Sequence, residues 1–111
     1  MSDRNNAVVI LVTAPDAEVA GSIGWTLIDE RLAACVNIAP HLRSIYRWKG
    51  EVQDDPEVLM LIKARRDDVD AIVARVEQLH PYQVPEVIAV EIVAGLGTYL
   101  DWIQAETERD G

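Results

Sequence analysis

The first apolar run, AVVILVTA at Ala7–Ala14, is β-branched and unbroken, the pattern of a strand buried on both faces. Pro15 and Asp16 punctuate it, and Asp16 is placed to cap a helix. Val19, Ala20, Ile23, Leu27 and Ile28 then recur at helical spacing, predicting a first helix to about Arg31. LAACVNIAP predicts a strand that Pro40 interrupts, and SIYRWKGEV resumes the alternation, with Lys49-Gly50-Glu51 as a hairpin turn. EVLMLIKA is the returning strand. Asp67 and Asp68 open a second helix with Val69, Ile72, Val73, Val76 and Leu79 on one face, and Pro81 stops it. EVIAVEIV predicts a fourth strand. Thr98, with Asp101 three residues later, has the form of a capping box for a last helix carrying Tyr99, Trp102 and Ile103. The tail AETERDG is polar and predicts a frayed end.

The order β-α-β-β-α-β plus a short helix is the split β-α-β, ferredoxin-like α/β (α+β) pattern: two helices on one face of a four-stranded sheet. The strands are nevertheless apolar on both sides. Val58, Met60 and Ile62 alternate with Leu59 and Leu61, so both faces carry large aliphatic groups. A two-layer domain of this size cannot bury both alone, so the uncovered face is expected to meet another subunit.

Composition narrows the function. The 111 residues fit one domain, residues 1–111, and half of them are hydrophobic, as in a globular chain. Nineteen acidic against ten basic residues leave a net charge of −9, which repels phosphate backbones and argues against nucleic acid as a partner. The single cysteine, Cys35, can form no internal disulfide and no CxxC zinc site, which suits a reducing compartment. The early apolar run is too short to span a membrane and is preceded by a weak n-region, so the chain reads as a mature cytosolic protein without a membrane partner.

Candidate chemistry gathers in a few places. Five of the six aromatics fall in three short stretches: Tyr46 with Trp48, Tyr82 alone, and Tyr99 with Trp102. Tyrosine and tryptophan join an apolar body to a polar tip, which suits clefts as well as ordinary packing. His80 precedes Pro81 at the end of the second helix. It reads either as a metal ligand or proton carrier, or as a cap for the last helix carbonyls. Lys63 continues the Leu59–Leu61 face, and Glu91 follows Val87 and Ala89. Each reads as a solvated strand end, or Lys63 pairs with Glu57, Glu86 or Glu91 in a cleft. Cys35 alternates with Ala34 and Val36 in an apolar strand, where a cysteine is a small hydrophobe and, as thiolate, a soft copper ligand. Pro81 and Pro85 restrict the link between the second helix and fourth strand, which reads either as a way to lower the entropy lost when His80, Tyr82 and Glu86 order a site, or simply as a stop for the helix and a start for the strand. No glycine-rich phosphate loop, HExxH or catalytic triad order is present.

VTAPD (12–16), ERLAACVNI (30–38), SIYRWKGE (44–51), DPEVLMLIKA (55–64), HPYQVPEVIAVEI (80–92) and YLDWI (99–103) occur in that order, and together they resemble the CutA divalent-cation tolerance family. The resemblance covers nearly the whole chain. It implies a tight homotrimer with β-hairpins pairing across subunits, an architecture similar to the P-II signalling proteins, and clefts between subunits. It implies a part in tolerance of copper and other divalent ions, no organic cofactor and no enzymatic activity. On this resemblance the metal candidates are His80, Cys35 and Glu57. Tyr46, Trp48, Lys49, Lys63, Tyr82, Glu86, Tyr99 and Trp102 are the cleft candidates. Two positions depart from the family pattern: Val12 stands where some relatives carry a cysteine, and Glu91 where a proline is common. The alternative is a signalling module that binds a small metabolite or anion in the clefts, with Lys63 and Lys49 facing it. Proton transfer by His80 or Glu57 ranks below both.

Overall fold

The computed structural model describes residues 6–109. Strand β1 (Ala7–Ala14) lies inside an antiparallel sheet, paired with β3 (Glu51–Arg65) on one side and β4 (Val87–Glu91) on the other; β2 (Cys35–Trp48) pairs with the far edge of β3. The order β2-β3-β1-β4 is that of the split β-α-β fold. Helices α1 (Ala17–Asp29) and α2 (Val69–Leu79) cover one face. Val8, Ile10, Val12, Met60 and Ile62 alternate onto that face and meet Ile23, Leu27, Ile72 and Val76 in a dry core. The helix layer comes close: a Cβ on Gly24 would meet Val36 Cγ1 at 3.2 Å.

Helix α1 begins as expected, with the Asp16 carboxylate accepting the Val19 N–H at 2.9 Å. It ends at Asp29, two residues early, because Arg31 turns left-handed (φ 58°). Other expectations need correction. Pro40 does not interrupt β2. The strand runs through it and absorbs the break as a bulge between Ala39 and Leu42, with His41 at φ 65°. A proline is tolerated there because β2 is an edge strand. Strand β3 begins at Glu51, not Glu57, and includes Pro56, which lies beyond the end of β1 and so also sits at an edge. Strand β4 is shorter than expected, Val87–Glu91.

The hairpin turn stands as read. Lys49 (φ 50°) and Gly50 (φ 82°) are both left-handed, the type I′ pattern that matches strand twist. Pairing of β1 with β3 stops at Ala14–Val58, so residues 51–57 pair with β2 alone and the hairpin projects, giving the chain its 49 Å length.

The second sheet face is apolar, as the alternation required. Helix α3 (Gly97–Glu106) covers one end of it, where Leu100 and Ile103 pack on Ala7. The rest is open: Ile88 is 52% and Val90 50% exposed. The Thr98–Asp101 capping box does not form. Leu96 is the N-cap, Thr98 is already helical, and no side chain caps the helix. The tail is not frayed as far as Arg109. Thr107 is buried, and Arg109 reaches back to Asp68.

Asp68 opens α2 as expected and has a second part in the fold. It opens α2 by position but caps nothing, and its buried carboxylate instead binds Arg65 (2.9 Å) and Arg109 (2.6 Å). Removing it leaves Arg65, 17% exposed, without a counter-charge among the described residues. Asp68→Ala should therefore lose about 3 kcal/mol, whereas Arg109→Ala, at the more exposed partner, should lose about 1 kcal/mol. Urea unfolding at one fixed protein concentration measures both. Equal midpoints for parent and Asp68→Ala would show that the clamp contributes nothing.

Candidate functional site

Where β1 ends and the hairpin runs on, the sheet has a step. The link between α2 and β4 folds over it and closes a groove of ≈ 850 Å³. One wall is the hairpin, with Tyr46, Trp48, Asp55 and Glu57; the other is the link, with Tyr82 and Glu86. Strand periodicity explains the first wall, since Asp55 and Glu57 are two residues apart and share a face. On the partner strand the bulge at His41 restores the phase, so that Tyr46 reaches Asp55.

The groove is organised by phenol–carboxylate contacts. Tyr82 donates to Glu57 Oε2 at 2.7 Å, and Tyr46 donates to Asp55 Oδ2 at 2.7 Å. Burial, then the bond to Glu57, pushes the Tyr82 phenol well above its ordinary range, so it stays a neutral donor. The bond to Asp55 comes first in raising Tyr46.

His80 lies behind this wall. Its Nδ1 accepts the Tyr82 N–H at 3.2 Å, which leaves Nε2–H to donate to the Thr13 carbonyl at 2.8 Å. Both nitrogens are engaged, the residue is 7% exposed, and its ring lies 4.5 Å from that of Tyr82. It ties the link to the end of β1 and, through Tyr82, holds Glu57. It does not bond the last helix carbonyls through its ring.

The remaining candidates lie elsewhere. Lys63 is six residues from Glu57 along β3, about 20 Å away. It donates to Asn37 Oδ1 and pairs with none of Glu57, Glu86 or Glu91; Glu91 is bridged to Arg66 at 2.6 Å. Cys35 faces Lys63 across the strands, half-buried, with its thiol 3.8 Å from Asn37 Oδ1. Tyr99, stacked on Trp102, is beside it: burial and the neighbouring Cys35 raise the Tyr99 phenol. Lys49 is at the hairpin tip, 5.7 Å over the Trp48 ring.

Tyr46, Trp48, Glu57, Tyr82 and Glu86 are thus brought together, with His80 in support. Cys35, Lys63, Tyr99 and Trp102 form a second cluster. His80, Cys35 and Glu57 do not converge within one chain, and no three His, Cys, Asp or Glu side chains among the described residues gather to hold a metal. Asp55 and the Arg43–Asp54 pair (2.6 Å) on the hairpin were not singled out from sequence. The signal for Asp55 was there, two residues before Glu57 and opposite an aromatic strand.

These features define a ferredoxin-like α/β protein with an acidic, aromatic groove at the root of a long hairpin. The chain belongs to the CutA1 divalent ion tolerance protein family, whose model matches residues 8–106. It is 50% identical over 99 residues to the divalent-cation tolerance protein CutA of Thermus thermophilus, covering 89% of this chain and 96% of that one. It is 45% identical over 97 residues to human protein CutA, covering 87% of this chain. The aligned part is 54% of the human protein, so the chain spans about half the length of that relative, as it does of the mouse and plant relatives. The crystal structure of CutA from Xylella fastidiosa superposes with a TM-score of 0.90 at 42% identity, over 93% of this chain and 99% of that one.

Because the Tyr82 phenol ionises at higher pH folded than unfolded, its contribution is whole below the unfolded value of about 10 and is lost as pH rises through the folded one. Tyr82→Phe should cost about 1–2 kcal/mol at neutral pH, where Glu57 loses its donor. It should also make the alkaline decline in stability shallower than in the parent. Denaturant midpoints from pH 7 to 11 for both proteins check this; parallel curves would mean that the phenol is not held.

Proposed function

We propose that this protein is a homotrimer acting in divalent-ion tolerance in the cytosol, and that it binds copper and other divalent cations weakly and carries out no catalysis. The observation that carries this reading is the family match over residues 8–106. The geometry supports its particulars. An open apolar face with Ile88 and Val90 half exposed needs a partner surface, and further copies of the chain supply one. Weak binding accords with a groove that offers carboxylates strung along a strand and no preformed cage. Of the three expected ligands, Glu57 faces the groove. His80 acts by positioning it, and Cys35 contributes only at a separate place. No helix among the described residues is long and apolar enough to cross a membrane.

The signalling alternative has one observation in its favour, a groove of a size that suits a small molecule. Its charge argues against an anion. Three carboxylates face the groove, its arginine, Arg43, is bound to Asp54, and neither Lys49 nor Lys63 lines it.

In light scattering at micromolar concentration the protein should have the mass of three 12.3 kDa chains, with no folded monomer. A folded monomer would refute the assembly. In calorimetry, Glu57→Gln should weaken copper about tenfold while keeping the trimer mass, since it removes a charged oxygen ligand. Unchanged copper binding would place the metal away from the groove.

A further inference from the structure

Glu57 is 9% exposed, its Oε2 accepts the Tyr82 phenol, and no Lys, Arg or His among the described residues forms an ion pair with it. A buried carboxylate without a counter-charge is costly, and here it opens onto a groove. Asp55 lies two residues along the same strand face, with one oxygen likewise taken by the Tyr46 phenol. In both residues the second oxygen has no protein partner among the described residues, so it can accept from a ligand. These two acceptors are set on a strand repeat of about 7 Å. Around them are the rings of Tyr46, Trp48 and Tyr82, and Glu86 adds a third carboxylate.

A bare divalent ion is held tightly only by several oxygens converging on one point, which these residues do not provide, so they would hold it weakly. An ammonium takes hydrogen bonds singly, and a cation or its methylenes lie well on aromatic faces. We infer that the groove is a binding site for an aliphatic diamine or polyamine. Its ammonium groups donate to the free oxygens of Asp55 and Glu57, and its carbon chain lies on Trp48 and the phenol rings. A spacer of about four carbons matches the strand repeat of the two carboxylates. This rests on the groove being the cation site proposed above, and it names the ligand class that the groove suits.

The test is calorimetry on the assembled protein with 1,4-diaminobutane, spermidine, magnesium and copper, each alone at one pH and salt concentration. Spermidine should bind saturably and more tightly than magnesium. Glu57→Gln, which keeps an acceptor for the Tyr82 phenol, should weaken spermidine about tenfold. Trp48→Leu should weaken spermidine and leave copper unchanged. Glu77→Gln, an exposed acid on α2 outside the groove, should change neither. If Glu77→Gln weakens spermidine as much as Glu57→Gln does, the amine is held only by diffuse negative charge and the inference fails. If copper binds and spermidine does not, or if Trp48→Leu leaves spermidine unchanged, the inference fails while the divalent-cation reading stands. If neither ligand binds, both fail.

Discussion

The mismatch in length between β1 and β3 governs the rest of the molecule. Eight residues of β1 pair with the inner half of a fifteen-residue β3, and beyond Ala14 only β2 accompanies it. The covered half is a core strand, with Met60, Ile62 and Ala64 sealed under the helices. The uncovered half is a free-standing ribbon whose polar groups line a groove. The step between the halves is where the link after α2 comes to rest, with His80 on the Thr13 carbonyl and Tyr82 on Glu57. One inequality thus creates the projecting hairpin, the groove and the place of its aromatic wall.

Two buried carboxylates are answered by the fold in different ways. Asp68 is answered on both oxygens by arginines, one from its own turn and one from the chain end, so its charge fastens the C-terminal segment to the sheet. Glu57 is equally buried and is answered by a neutral phenol alone. The first arrangement is closed. The second keeps an acceptor facing solvent, at the cost of a charge that no ion pair among the described residues neutralises.

Histidine and cysteine are the residues a reader would choose first for a soft metal, and within one chain both are engaged in other contacts. His80 has no free nitrogen in this arrangement, and Cys35 sits beside Asn37 and Tyr99, about 20 Å along the sheet. The residues left open to the groove are carboxylates and aromatic rings, a set suited to weakly held cations.

Local pattern determined the elements and their order. A continuous β-branched run, two helical repeats and a Lys-Gly turn needed no distant information, and alternation along β3 already sorted Met60 and Ile62 from Leu59 and Leu61. The family was legible too, because its motifs are local and occur in order. Tertiary structure decided what local chemistry leaves open. Pro40 reads as a break, yet it is carried in a strand, as Pro56 is, since an edge position asks for no ladder N–H there. The Thr98 capping box was outcompeted by a start at Leu96, and Asp68, which opens α2, also clamps Arg65 and Arg109. The aromatic stretches were visible as candidates. That Tyr82 meets Glu57 across twenty-five positions, and that Lys63 meets Asn37 and no glutamate, followed from strand register and bulge phase. Those depend on pairings between distant segments, and composition and spacing along one segment carry no record of them.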